Sequence, residues 1–223
     1  PQFNVKTNRL TGMEALLRWE HKSEGFVPPN MFIPVAEDTG LIVPLGLWVM
    51  KEGMHQIVQW YSVGLKPGRL AINISMLQLQ QSNFIYLLEK LLDETMCKAE
   101  WLEIEVTESQ VMKNPEKTIP ILQKISQLGV TLAIDDFGTG YSSLSYLKRL
   151  PFDRLKIDRS FIEDIPNEEE NVVSQAIIAL AKSLNLGVIA EGVETEAQKE
   201  FLIENGCNDL QGYLYGKPMP KDE

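Results

Sequence analysis

The chain is short of several things, and each shortage closes off a class of explanation. Two cysteines occur in 223 residues, Cys97 and Cys207, far apart and in no CxxC pair. That argues against a disulfide scaffold or a thiolate zinc site and for two packed thiols in a reducing compartment. Only two histidines are present, His21 and His55, poor material for a histidine metal site or a catalytic triad. No apolar run approaches the roughly 20 residues that span a bilayer, and the first residues are polar. A cytoplasmic domain without membrane contact of its own is expected, whether or not a tether lies elsewhere in a longer protein. Positive charge is scarce too: 21 Lys and Arg against 31 Asp and Glu give a net charge of −10. A broad basic surface for a nucleic-acid polymer is therefore not expected. A small phosphate ligand remains compatible, because a bound divalent cation reverses the local charge logic.

What is present is a core and an alternation. With 44% hydrophobic residues, the chain can bury a sizeable interior. Apolar, β-rich runs at Gly12–Leu17, Arg69–Ile74, Trp101–Val106, Val130–Asp135, Arg154–Asp158, Gly187–Ala190 and Asp209–Tyr213 predict strands. Between them, segments of helical period predict helices at Leu45–Tyr61, Met76–Leu92, Pro115–Leu128, Ser142–Leu150, Glu168–Leu184 and Thr195–Asn205. Such alternation predicts a parallel sheet covered by helices. Seven strands plus a remnant at Phe3–Val5 fit an α/β fold of the closed, TIM-like (β/α)8 barrel type. No low-complexity linker divides the chain, so residues 1–223 read as one domain.

The strand ends carry polar groups after apolar runs: Glu14; Asn73; Glu105, with Glu108 beyond; Asp135 and Asp136; Lys156 and Asp158; Glu191 and Glu194; Gln211. In a β/α barrel these ends converge on one face. Singly, each has an ordinary explanation as a rim group, a cap or a turn. Jointly they make a mostly anionic ring, which is costly unless protons or cations intervene. Oxygen ligands without Cys or His select hard cations such as Mg²⁺ or Mn²⁺. Adjacent Asp135 and Asp136 suit one carboxylate shared between two ions, a clamp for in-line displacement at phosphorus.

At this point the residues resemble a known family. Glu14-Ala15-Leu16-Leu17-Arg18-Trp19 resembles the motif that names the EAL domain family, the cyclic di-GMP phosphodiesterases. The likeness continues through Phe32–Glu37, Asn73-Ile74-Ser75, Glu103–Glu108, Asp135–Leu144, Leu155–Asp158, Ala190–Thr195 and Gln211-Gly212-Tyr213, in order along the whole chain.

The resemblance implies hydrolysis of cyclic di-GMP to linear 5′-pGpG by in-line attack of a metal-activated water. It requires one or two Mg²⁺ or Mn²⁺ ions, and Ca²⁺ is expected to inhibit. Glu14, Asn73, Glu105 and Asp135 would hold the first ion. Asp135 and Asp136 would hold the second, with Glu191 binding it or serving as general base. Lys156 would orient the water and Gln211 would line the metal–water site. Arg18, Leu16 and Asp158 would contact substrate. Glu108 and Asp158 would support their neighbours. Glu194 would anchor the loop Phe137–Ser143, in which Gly138, Thr139, Gly140 and Ser142 couple substrate binding to the metals.

A homodimer is implied, and so is an upstream sensory or GGDEF-type domain in a larger signalling protein. Relatives begin before the position of Pro1, so the first strand is expected to be incomplete or antiparallel. The rival reading is a catalytically silent cyclic di-GMP receptor or scaffold. Retention of the signature Glu14, the paired aspartates and the loop favours the enzyme.

Overall fold

The computed structural model describes residues 1–140, 144–165 and 168–221, with only the backbone of residues 144 and 168–170. Eight strands close into a barrel: β1 (Gln2–Asn4), β2 (Arg9–Ala15), β5 (Arg69–Asn73), β6 (Leu102–Thr107), β7 (Thr131–Phe137), β8 (Arg154–Ile157), β9 (Gly187–Ala190) and β10 (Asp209–Gln211). Around the barrel the order is β1, β10, β9, β8, β7, β6, β5, β2. The remnant strand is real. β1 runs antiparallel to both its neighbours, while the other pairings are parallel.

The helices are α1 (Pro29–Asp38), α2 (Ile42–Ser62), α3 (Met76–Leu79), α4 (Phe84–Thr95), α5 (Glu108–Lys113), α6 (Pro115–Gln127), α7 (Leu144–Leu147), α8 (Glu168–Ser183) and α9 (Glu196–Glu204). Besides the short helix α5, which no periodicity marked, further features depart from the sequence-based expectation. The single helix predicted over Met76–Leu92 is two: a reciprocal capping box between Ser75 and Gln78 starts α3, which ends at Leu79 with Gln80 as its C-cap, and α4 starts afresh at Phe84. Helix α1 carries Pro34 internally and Pro29 at its start, and prolines mask a helical pattern. A small hairpin, β3 (Trp19–His21) with β4 (Gly25–Val27), stands outside the barrel.

Strand periodicity explains the core. In β6 the side chains of Leu102, Ile104 and Val106 belong to the apolar cluster formed with the helices, and Glu103 and Glu105 alternate with them. Register carries the same alternation round the barrel. Glu105 pairs with Asn73 and Ala133, Ala133 with Arg154, and Gln211 with Gln2. The inward face is therefore polar and the outward face apolar, an inversion of the usual packed barrel centre. Small residues make the room. A Cβ on Gly12 would lie 2.8 Å from Oε1 of Gln2, and one on Gly187 would lie 3.3 Å from Cγ of Arg154.

The inward groups form two layers. The lower is Arg154 with Glu103 (3.1 Å), Gln2 (3.2 Å) and Asp209 (3.5 Å). The upper layer is the candidate site. Both cysteines are buried and free, the two packed thiols expected from their spacing. Among the described residues no helix is long and apolar enough to cross a membrane.

Candidate metal centre and phosphoester site

Lys156 stands at the centre of the upper layer, with no exposed surface. Its Nζ lies 2.7 Å from Glu191, 2.8 Å from Glu105, 3.2 Å from Asp135 and 3.6 Å from Glu14. Glu105, Asp135 and Glu14 lie on β6, β7 and β2 and Glu191 directly follows β9, so the four meet only because the barrel closes. Two amides tie Glu14 in place. Asn73 donates Nδ2–H to Oε1 at 2.7 Å, and Gln211 donates Nε2–H to Oε2 at 2.5 Å. Asp136 joins the group through Asp135 and Glu191, the three offering carboxylate oxygens within 4.8 Å of one another.

One ammonium cannot balance this many acids. Burial pushes Glu105 well above the usual carboxylate range, and Glu14 and Asp135 add to the rise against the opposing pull of Lys156. Burial likewise pushes Glu191 up to about 8, with repulsion from Asp135 and Glu14 behind it. Asp136 rises to about 6, through burial and the charges of Asp135 and Asp158. For Glu14 the desolvation is outweighed by Lys156 and the two amides, and its pKa falls. Burial alone would lower Lys156, but the surrounding acids more than offset it and hold it well above the ordinary lysine value. The chemistry of the layer is thus a deficit of positive charge in a dry, oxygen-lined space.

The close ion-pair contacts do not satisfy every atom. Glu105 Oε1 and Oε2 and Gln211 Oε1 are buried without a hydrogen-bond partner, even though Glu105 approaches Lys156 at 2.8 Å. Lys156 Nζ is itself buried without a hydrogen-bond partner, so the contact is an ion pair by distance. Orphaned acceptors aimed into an acidic ring of oxygen donors fit a hard divalent cation.

The backbone at this point is bent to purpose. Asp136 has φ of 52°, in the left-handed region, and the β7–β8 register shifts between Ile134 and Phe137. That bulge lets two consecutive residues both serve the site instead of pointing to opposite faces. Beyond it, Gly138 at φ 100° donates its N–H to Glu108 Oε2 at 2.8 Å, and Thr139 Oγ1 donates to Asp136 O at 2.8 Å. Glu108 is fully buried and its carboxyl also lies 3.5 Å from where a Cβ on Gly140 would sit. Glu108 thus meets the turn at Gly138, and among the described residues Glu194, which follows β9, pairs with Arg159 at 3.2 Å. Ser142 lies outside the described residues.

Above the ring opens a cavity of about 1010 Å³, whose walls include Glu14, Leu16, Arg18, Glu191, Glu194 and Gln211. Leu16 and Arg18 are exposed, and the Arg18 guanidinium donates to Leu17 O at 2.9 Å. Asp158 follows β8 and accepts from the backbone N–H of Ser160 at 3.0 Å, besides facing Asp136. The expected ligand residues thus come together. Sequence reasoning missed the lower layer, Glu103 and Arg154, and also Arg159. The period-two spacing from Glu105 and Lys156 marks the first two.

A family model described as EAL domain matches residues 1–218. MucR of Pseudomonas aeruginosa, named a bifunctional diguanylate cyclase/cyclic di-GMP phosphodiesterase, is 45% identical over 224 residues, covering 100% of this chain and 33% of that protein. PdeR of Escherichia coli, named a cyclic di-GMP phosphodiesterase, is 44% identical over 95% of this chain and 32% of its own length. The chain therefore spans about a third of the curated relatives it matches. Among solved structures, that of PaMucR phosphodiesterase in complex with c-di-GMP superposes with a TM-score of 0.95 at 45% identity, covering 100% of this chain and 90% of the other.

Proposed function

Since the chain belongs to the EAL domain family, we propose that it is a divalent-cation-dependent phosphodiesterase that hydrolyses cyclic di-GMP to linear 5′-pGpG. The observation that carries this is the upper barrel layer: four carboxylates from four strands around one buried lysine, with orphaned acceptors on Glu105. Relatives named for this activity, and a like structure holding c-di-GMP, support it.

Glu14, Asn73, Glu105, Asp135, Asp136 and Glu191 are the residues to hold Mg²⁺ or Mn²⁺. Such an ion, when bound, supplies positive charge at the phosphate and makes water acidic enough to ionise near neutral pH. Glu191, beside Asp135 and Asp136, either completes the ligand set of the second ion or takes the proton of the attacking water. Water oxygen bonds to phosphorus, the P–O3′ bond breaks opposite, and the 3′ oxygen leaves as the sugar hydroxyl with a proton from solvent, which in turn receives the one lost by the attacking water. Lys156 orients the water and offsets charge gathered on the phosphoryl oxygens. Gln211 fixes Glu14 and lines the same space. Arg18, Leu16 and Asp158 face the nucleotide. Glu108 holds Gly138, and through it the turn carrying Asp136.

Ca²⁺, with longer bonds and looser geometry, is expected to occupy the site without supporting turnover. A homodimer, a cytoplasmic setting and a regulatory domain elsewhere in a longer protein complete the proposal.

The test is incubation with cyclic di-GMP and Mn²⁺, followed by chromatography, beside an EDTA control and Glu14→Ala. Metal-dependent pGpG that disappears in the variant supports the reading. Bound but uncleaved cyclic di-GMP in the wild type contradicts it and makes the domain a receptor.

A further inference from the structure

The lower layer of the barrel repeats the upper one strand for strand. On β8 Arg154 stands two residues before Lys156, on β6 Glu103 two before Glu105, and on β10 Asp209 two before Gln211. Residues two apart share a face of a strand, so each of these upper groups has a lower one beneath it on its own strand. Arg154 joins the lower three. Its Nη1 donates to Glu103 Oε2 at 3.1 Å and to Gln2 Oε1 at 3.2 Å, and its Nη2 lies 3.5 Å from Asp209 Oδ2. On β2 the position below Glu14 is Gly12, and the side chain it lacks leaves room for Gln2.

Stability does not explain this layer. Arg154 and Glu103 are both buried, and exchanging a buried ion pair for well-packed apolar groups is often neutral or stabilising. A β/α barrel ordinarily fills its interior with branched apolar side chains. Charges kept here without a gain in stability point to another use.

The upper layer shows what that use is. Glu14 is held by directional bonds from Asn73 and Gln211. Glu105 is not: both its oxygens, and the Lys156 Nζ that faces it at 2.8 Å, are buried without a hydrogen-bond partner among the described residues. The spacing of these two groups therefore follows from where β6 and β8 put them. Strand β7 lies between and contributes Ala133, paired with Glu105 on one side and Arg154 on the other. That small residue lets Arg154 reach across to Glu103 and tie β8 to β6 one step below Lys156 and Glu105.

We infer that Arg154 and Glu103 are a positioning pair: by fixing β8 against β6, they set the distance between Lys156 and Glu105 and with it the affinity of the upper ring for a divalent cation. Neither residue touches the reacting atoms. The inference rests on the proposed cation site and adds to it a pair one layer below that tunes it.

The experiment reads stability and cation binding separately, in wild type, Arg154→Lys, Arg154→Met and the double variant Arg154→Met/Glu103→Leu. Arg154→Met leaves the charge of Glu103 buried alone, so its Tm in EDTA should fall. The double variant removes both charges and should keep a Tm in EDTA no lower than that of wild type. Its affinity for Mn²⁺, read by calorimetric titration without substrate, should nevertheless drop by about 10–100-fold, the range for groups that orient ligands from behind. Turnover of cyclic di-GMP at limiting Mn²⁺ should fall with it, while KM for the dinucleotide stays unchanged. Arg154→Lys, which keeps the charge without the fork that reaches Glu103 and Gln2 together, should bind Mn²⁺ with intermediate affinity. Wild-type Mn²⁺ affinity in a stable double variant overturns the inference. So does a double variant whose Tm in EDTA drops with that of Arg154→Met, since the pair would then serve the fold alone. A wild type that binds Mn²⁺ without cleaving cyclic di-GMP overturns the proposed activity and leaves this inference standing; one that binds no Mn²⁺ overturns both.

Discussion

The ammonium of Lys156 lies 2.7 Å from Oε1 of Glu191, with Glu105 at 2.8 Å on its other side, and no part of the lysine reaches solvent. Among the described residues this lysine is the one cation within 4 Å of Glu14, Glu105, Asp135 and Glu191, and its charge holds these acids together.

Removing that charge should be costly without metal. Breaking a buried ion pair by deleting one partner typically costs about 3–5 kcal/mol. Lys156→Met should therefore lower the Tm of EDTA-treated protein by roughly 10 °C for a chain of this size. Added Mn²⁺ should raise the Tm of the variant by more than it raises the wild type's. Differential scanning calorimetry reads both. An unchanged Tm in EDTA would remove Lys156 from this role.

The raised acids make a pH prediction with a definite sign. Folded Glu191 takes up its proton near pH 8, whereas an unfolded glutamate does so near 4.5. Between those values the folded state holds the extra proton, so its contribution is complete below about 4.5 and is lost as pH climbs to about 8. Asp136 acts in the same direction between 3.8 and about 6. Metal-free protein should lose stability on this account as pH rises from 5 to 8. Cations must displace those protons, so Mn²⁺ should stabilise more at pH 8 than at pH 6. Urea midpoints at the two pH values, with and without Mn²⁺, test it; equal Mn²⁺ effects would contradict it.

Much of this site was legible in the sequence, and the misses have physical causes. Glu14, Asn73, Glu105, Asp135, Lys156, Glu191 and Gln211 each end an apolar run, and a barrel leaves such residues one place to go. The antiparallel β1 could be suspected but not assigned, because a three-residue strand has too little periodicity of its own. Glu103 and Arg154 went unread for a different reason: a strand flanked by Leu102 and Ile104 suggests an apolar interior, and only closure shows that the apolar side faces the helices. That Glu108 meets the turn at Gly138 while Glu194 meets Arg159 depends on which loop stands beside which strand, and spacing alone does not carry that.

Glu108 offers a way to separate the loop from the ions. Its carboxylate accepts from the N–H of Gly138 at 2.8 Å. Groups that orient ligands from behind typically matter by about 10–100-fold in activity or metal affinity. Glu108→Ala should lower kcat within that range while the domain stays folded by circular dichroism. Full activity in the variant would show that the loop keeps its place without this contact.

Gly138 is constrained by conformation and space together. Its φ is 100°, and an added Cβ would lie 2.8 Å from the ring of Phe161. Gly138→Ala should destabilise by about 1–3 kcal/mol through backbone strain and should disturb the turn after Asp136. Chemical denaturation together with a Mn²⁺ titration measures both effects. A variant as stable as wild type would mean that the turn relaxes freely.

The most direct measurement is a single turnover of cyclic di-GMP in ¹⁸O-labelled water with Mn²⁺, for wild type and Glu105→Gln, with mass analysis of the product. The account predicts pGpG carrying one ¹⁸O in its 5′-phosphate from the wild type, none in EDTA and almost none from the variant. Product without label, or labelled product at undiminished yield from Glu105→Gln, would contradict hydrolysis at a cation held in this ring.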